Sequence, residues 1–170
     1  VKVVPFLSNH WDREKGIKAL QNRHELTDQI ADAVREYDLD GVNVDIENVT
    51  ETEREMYTDF VKFLRDKLPE GKTLAVAVAP NPYGIKTGWQ ASFDYNGLAR
   101  YSDYLMIMAY DESYPGGPAG PVASYNFVEN TIKKALTEVP KEKIVLGIPF
   151  YGRYWKNGAA KGGNGLSNTT

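Results

Sequence analysis

Between positions 40 and 47 the chain reads Asp40-Gly41-Val42-Asn43-Val44-Asp45-Ile46-Glu47, with polar groups and large aliphatics in strict alternation. A β-strand sends successive side chains to opposite faces. The segment therefore predicts a strand with Asn43, Asp45 and Glu47 on one face and Val42, Val44 and Ile46 on the other, free to pack against helices. Two carboxylates and an amide converge on a single surface. An interior built only for packing takes aliphatics at such positions, and carboxylates withdrawn from water need partners. Acids paired in this way are where proton transfer is commonly built. The bland reading is a solvated strand or a structural ion pair, with Asp40 only capping the turn that enters it.

The surrounding elements must present this face. Residues 1–7 read as a strand, with Pro5 where no ladder donor is required. Residues 24–37 place Leu26, Ile30, Ala33, Val34 and Tyr37 at helical spacing, with Asn22 as a cap. Thr50 and Glu53 have the spacing of a capping box, and Met56, Phe60, Phe63 and Leu64 supply the buried stripe of the helix that follows, ended by Pro69 and Gly71. Residues 74–79 form a strand with large aliphatics on one face and alanines on the other, which leaves room for something on the small side. A looser stretch, 80–100, leads into a long strand at 103–111 that ends polar. A loop rich in Pro and Gly at 115–121 precedes a helix over 124–138 with Phe127, Ile132, Ala135 and Leu136 as its core face, and residues 144–151 form the last strand. Five strand-like runs, most of them separated by helical patterns, with no tandem repeat, imply right-handed crossovers and a parallel sheet, an α/β fold. The tail, 157–170, is rich in Gly, Asn, Ser and Thr and reads as a linker, an insertion entrance or a frayed end rather than an element.

Composition narrows the function classes. With 42% hydrophobic residues in 170, the chain can bury one substantial core and is too apolar to be disordered. The 20 basic and 23 acidic residues leave a formal charge of −3 without a basic run or face, so nucleic acid is not an expected partner. There is no apolar run long enough to span a bilayer and no basic-then-apolar leader, so membrane insertion is not expected and the chain reads as a mature or trimmed segment. Cysteine is absent, which removes thiolate chemistry and disulfides. His10 and His24 are far apart in sequence, so no metal site is expected, and nothing calls for a cofactor.

Three segments in the same order suggest a family. Residues 40–47 resemble the DGxDxDxE signature of glycoside hydrolase family 18, the chitinase-like enzymes. Met108-Ala109-Tyr110-Asp111 resembles the MxYD signature, and Gly147-Ile148-Pro149-Phe150-Tyr151-Gly152-Arg153 resembles the GxPxYGR signature of the seventh strand. Asn43 combined with Tyr110-Asp111-Glu112 and Gly120-Pro121-Val122-Ala123-Ser124 looks most like the bacterial branch of spore-cortex and cell-wall N-acetylglucosaminidases, often joined to LysM modules. The resemblance implies a (β/α)8 barrel with its site at the C-terminal ends of the strands, of which 1–156 is an incomplete piece covering the third to seventh strands. Open sheet edges would then invite self-association.

The resemblance also assigns roles. Glu47 protonates the leaving glycosidic oxygen, with a pKa near working pH set by partial desolvation or by Asp45. Attack comes from the N-acetyl carbonyl of the substrate itself, so Asp45 orients and stabilises the oxazolinium intermediate and the glycan must carry a 2-acetamido group, as chitin and peptidoglycan do. Tyr110 donates to the acetamido carbonyl, and Asp111 binds a sugar hydroxyl or the surroundings of that phenol. Tyr151 and Arg153 contact the sugar. Asn43 replaces the aspartate of many chitinases and is expected to donate to Asp45 and keep it ionised. Met108, like Met106, reads as barrel filling, and Met108 is also a candidate substrate contact. Trp11 and Trp89 read as core or edge packing, whereas Trp155, just past the strand-seven motif, is the expected sugar platform. The aromatic floor of the central subsite would come from the eighth strand. A cell-wall or spore-envelope location outside the membrane follows from the same resemblance. The competing function is a chitinase-like lectin that binds glycan without cleaving it, although a lectin has no need of Glu47.

Overall fold

A computed structural model describes residues 1–157 and 159–167. One sheet holds β1 (Phe6–Ser8), β2 (Gly41–Asp45), β3 (Thr73–Val78), β4 (Tyr104–Ile107) and β5 (Ile144–Leu146), paired in parallel in sequence order. Helices α1 (Arg13–Gln21), α2 (Arg23–Glu36), α3 (Arg54–Lys67), α4 (Tyr95–Tyr101) and α5 (Tyr125–Leu136) fill the crossovers. This is the α/β architecture expected from the alternation of patterns, five neighbouring strands of a (β/α)8 barrel, and both edges, β1 and β5, have one strand partner among the described residues.

The register explains the two faces. Asn43 lies opposite Phe6 and Ala75, Asp45 opposite Ser8, and Ala77 opposite Met106, which in turn faces Val145. These residues share the inner face. Val42, Val44, Leu74, Val76, Leu105 and Ile107 point the other way, where they are buried against Leu20, Val34, Tyr57, Phe60, Leu64 and Leu98 of the helical layer. Inner-face exposure rises toward the rims: Ala75 and Ala77 are buried at the centre, whereas Phe6 and Val145 are exposed.

Local chemistry sets the boundaries. Asp40 ties the entrance of β2 to the N-terminal segment, its carboxylate accepting from the Val3 N–H at 2.6 Å and its own N–H donating to the Val3 carbonyl at 2.9 Å, a structural role. Gly41 is required by a close approach, because a Cβ there would sit 2.0 Å from the Thr73 carbonyl oxygen. The Thr50/Glu53 capping box forms, with the Thr50 N–H donating to Glu53 Oε2 at 2.8 Å. Pro5 sits where only its carbonyl is used, accepting from the Asn43 N–H at 2.9 Å.

Several expectations are corrected. The strand over 1–7 is confined to Phe6–Ser8, and those over 103–111 and 144–151 stop at Ile107 and Leu146. Beyond Ile107 the backbone curls through short i to i+2 bonds, Ala109 N–H to Ile107 and Tyr110 N–H to Met108, and so leaves the ladder. Pro149, which has no N–H to give a ladder, lies in the segment past β5. Asn22 occupies the N-cap position of α2 but makes no side-chain cap bond, its amide donating instead to the Lys18 carbonyl at 2.8 Å. In α3 the fully buried positions are Tyr57, Phe60, Val61 and Leu64, with Met56 and Phe63 only half-buried. Leu136 of α5 is exposed, whereas Thr131 and Ala135 are buried. Helices α1 and α4 escaped the sequence reading because Gly16 and Gly97 interrupt short apolar patterns. The 157–170 tail contains a strand: β6 (Gly152–Tyr154) pairs antiparallel with β7 (Asn164–Leu166). Gly158 and residues 168–170 of that tail lie outside the described residues.

Gly41→Ala is expected to destabilise the chain by roughly 3 kcal/mol or more, since backbone rather than a movable side chain blocks the new methyl. A thermal or urea melt unchanged from the parent would show that β2 and β3 can separate without cost.

Candidate active site

The polar residues singled out above lie at the C-terminal ends of the strands. Asp45 is the last residue of β2, and Glu47 stands on the turn beyond it. The alternation that seemed to place both acids on one strand therefore stops short of Glu47. Hydrogen bonds hold it instead. The Ile46 N–H donates to the buried Tyr57 hydroxyl at 3.3 Å. Asn9 grips the peptide groups of Glu47 from both sides, its Oδ1 accepting from the Glu47 N–H at 2.9 Å and its Nδ2 donating to the Glu47 carbonyl at 2.8 Å. Asn48, in the left-handed region at φ 59°, donates from its amide to the Trp11 carbonyl at 2.9 Å.

This turn leaves the Glu47 carboxyl half-buried with no hydrogen-bond donor from the protein among the described residues. Its pKa is pushed up to about 7, first by burial and then by the negative charges of Asp45 and Asp111. Asp45 is also raised by burial, against the opposing pull of the Ser8 hydroxyl and of His10. The hydrogen bond expected from Asn43 to Asp45 is not formed. Asn43 Oδ1 and Asp45 Oδ1 are both buried without a partner, because side chains two apart on a strand lie side by side and point the same way.

On the facing loop, burial raises the Tyr110 phenol, helped by Asp45, Glu47 and Asp111. Its ring meets Tyr151 edge-on at 6.2 Å. Gly147 makes space for it: a Cβ there would stand 3.0 Å from the Tyr110 ring and from the Ile107 carbonyl. Asp111, at φ 57°, gathers three donors on one oxygen, from the Tyr151 hydroxyl at 2.8 Å and from Arg153 Nε and Nη2 at 2.9 and 2.7 Å. Arg153 also stacks over the Tyr151 ring, 5.2 Å from its centroid, and donates to the Gly163 carbonyl at 3.2 Å, so the β6–β7 hairpin helps to fix it. Burial and the bond to Asp111 both raise the Tyr151 phenol.

A cavity of about 820 Å³ brings Glu47, Met108, Tyr110, Asp111 and Arg153 together, a volume suited to a ligand of several rings. Asn43, Asp45 and Tyr151 are not among the lining residues, and Tyr151 reaches the cavity through its bond to Asp111. Trp155 does not line the cavity. Its indole N–H donates to the Gly117 carbonyl at 3.0 Å and its ring packs on Gly162, holding the loop before α5 to the hairpin. The aromatic walls come from residues read as packing: Trp11, half exposed, meets Trp89 edge-on at 5.0 Å, and Tyr83, Tyr114 and Phe127 complete the lining. Asn9 was missed altogether. Its position just past a strand, next to polar and aromatic residues, was the one local signal. Glu112, for its part, accepts from the Ser124 N–H at 2.8 Å and serves the start of α5. No group of His, Asp and Glu suited to a metal ion converges among the described residues.

Comparison with known proteins agrees with this geometry. The "Putative sporulation-specific glycosylase YdhD" of Bacillus subtilis (strain 168) is 34% identical over 133 residues, 78% of this chain and 32% of that protein. The "Cortical fragment-lytic enzyme" of the same organism is 32% identical over 135 residues, 78% of this chain and 31% of its own length. The crystal structure of YdhD superposes with a TM-score of 0.89 at 31% identity, covering 99% of this chain and 59% of that one. The chain thus spans about a third of the length of these curated relatives. The family described as Glycosyl hydrolases family 18 matches residues 9–170. With the motif spacing, the five parallel strands and the acid at their C-terminal ends in agreement, the chain belongs to glycosyl hydrolases family 18.

Proposed function

We propose that residues 1–156 form part of the catalytic barrel of a glycoside hydrolase that cleaves β-linked N-acetylglucosamine in peptidoglycan or chitin-type glycans, with retention and with the substrate's acetamido group as nucleophile. The observation that carries this reading is Glu47: a carboxyl free of protein donors, open to a large cavity, and raised to about 7 so that it still holds a proton near neutrality. In the first step Glu47 gives that proton to the leaving oxygen as the acetamido carbonyl closes on the anomeric carbon. Asp45, at the end of β2 and within electrostatic reach of Glu47, carries the charge that steadies the resulting oxazolinium. Tyr110 donates to the acetamido oxygen, and Asp111, preset by Tyr151 and Arg153, accepts from a sugar hydroxyl. The ionised Glu47 then takes a proton from water in the second step.

Peptidoglycan is favoured over chitin because the relatives most like this chain are named for sporulation and for cortical fragments, which also favours action outside the membrane, at the cell wall or spore envelope. Residues 157–170 are read as a tail or the entrance to an insertion, of which Gly163 accepts from Arg153. The rims of the sheet, with Phe6 of β1 and Val145 of β5 exposed at 64 and 42%, favour association through the open edges when these 170 residues stand alone.

Glu47→Gln is expected to lower kcat on chito-oligosaccharides or purified peptidoglycan by a factor on the order of 10²–10⁴, and turnover that survives the change removes the proposed acid. Activity should decline as pH rises through about 7, where Glu47 loses its proton. Because folding raises this pKa, the folded state binds more protons than the unfolded one and loses stability between the ordinary glutamate range and about pH 7. Glu47→Gln should accordingly raise the melting temperature at pH 8 and leave it unchanged at pH 4. Asn43→Asp adds a carboxylate beside Asp45, so the alkaline limb of the pH–rate profile should move to higher pH; superimposable curves would exclude a tuning role for position 43. Sedimentation of the isolated 170 residues as a monodisperse monomer would count against edge association.

A further inference from the structure

Asn9 follows the last residue of β1 and is 6% exposed. Both donors and the oxygen of its side chain are engaged. Besides the two bonds to the Glu47 peptide groups, Nδ2 donates to the Asp12 carbonyl at 2.7 Å, while the Asn9 carbonyl accepts from the Asp12 N–H at 3.0 Å. The residues between, His10 and Trp11, are both at positive φ, 51° and 65°. The loop after β2 returns the contact through the bond from Asn48 to the Trp11 carbonyl. Two loops from neighbouring strands thus exchange side-chain amides, one gripping the acid-bearing turn and the other the Trp11-bearing turn. Helix α1 is fitted closely behind them, since a Cβ on Gly16 would lie 2.8 Å from Asn9 Nδ2 and 2.9 Å from Val49.

We propose that Asn9 is a positioning residue for Glu47, and that with Asn48 it locks the acid-bearing turn onto the turn that presents Trp11 to the cavity. The residue type follows from the geometry. The site needs one acceptor and two donors on a short planar group. Aspartate offers no donor, serine cannot span both peptide groups, and glutamine carries an extra methylene into a space already closed by Gly16. Fixing both peptide groups of Glu47 leaves its carboxyl only side-chain torsions to explore, so it stays within electrostatic reach of Asp45, Asp111, Tyr110 and the buried Tyr57, with His10 in turn acting on Asp45. A released turn lets the carboxyl swing toward water, and small displacements of a proton donor carry large rate penalties.

The inference rests on Glu47 as the acid, and its test has one arm that needs no substrate. In the whole protein, Asn9→Ala is expected to speed exchange of the Glu47 amide by about tenfold or more, freed of its bond to Asn9. The midpoint of the Glu47 carboxyl titration, followed by carbon-13 NMR, should fall toward the ordinary glutamate range. On chito-oligosaccharide, kcat should drop by about 10- to 100-fold with KM held within about threefold. Asn48→Gly, which suits the left-handed backbone and deletes only the amide, should shift the same readouts in the same direction by less, and it carries the test where Asn9→Ala yields no folded protein. An unchanged Glu47 titration in a folded variant, or activity that falls only as far as the melting temperature predicts, overturns the proposal and leaves Asn9 a plain structural staple. Should the unaltered protein cleave no glycan, the hydrolase reading fails, while exchange and titration still decide the role of Asn9.

Discussion

A carboxyl group drawn halfway out of water, with two other carboxylates within electrostatic reach, holds its proton far more tightly than one in bulk solvent. Glu47 is in that situation, and its position depends on the irregular backbone just past β2. The sheet fixes Asp45 through its ladder to Ser8, and from there the chain must turn, keep Val49 in the core and still aim the next acid at the cavity. The Tyr57 hydroxyl and the Asn9 amide accomplish this by satisfying peptide groups that no strand partner reaches. A buried peptide group left unpaired costs about 1–3 kcal/mol, so these side chains are as necessary to the fold as to the chemistry.

Backbone strain is gathered at the same end of the sheet. Of the five non-glycine residues at positive φ among the described residues, four (His10, Trp11, Asn48 and Asp111) lie on loops that line or support the cavity, and Asp38 lies elsewhere. Such conformations cost on the order of 1–3 kcal/mol each, less for Asn and Asp. Each is offset locally: Asn48 by its bond to Trp11, the His10–Trp11 turn by the closure between Asn9 and Asp12, and Asp111 by three donors on one oxygen. Strain held by side-chain hydrogen bonds produces loops with one preferred shape, which suits a site whose half-buried carboxyl and aromatic lining must stay in register.

Small residues keep the inner face low at its centre. Ala75 and Ala77 of β3 are buried there, while Gly147 lets the Tyr110 ring stand close to the end of β4. Larger side chains there would fill the barrel interior as ordinary packing. The aromatic lining comes from loops and helical turns rather than the strands, with Trp11 against Trp89, together with Tyr114 and, on α5, Phe127.

Much of this was legible in one dimension. Alternation at 40–47, the alanine face of 74–79 and the helical spacing of α2 and α3 are local periodicities, and a strand or helix converts them directly into faces. They determined the α/β class and the order of five strands, and they singled out Asp45 and Glu47 as a pair of neighbouring carboxylates. Periodicity ends where the ladder ends, so it could not say that Glu47 sits on a turn, that Tyr110 is carried by tight backbone bonds, or that residues 164–166 pair back on Gly152–Tyr154. Those outcomes, and the exchange of Trp155 for Trp11 and Trp89 at the cavity, were decided by the tertiary structure. Asn9 meets Glu47 across 38 positions of chain, and only the parallel pairing of β1 with β2 turns that separation into a hydrogen bond.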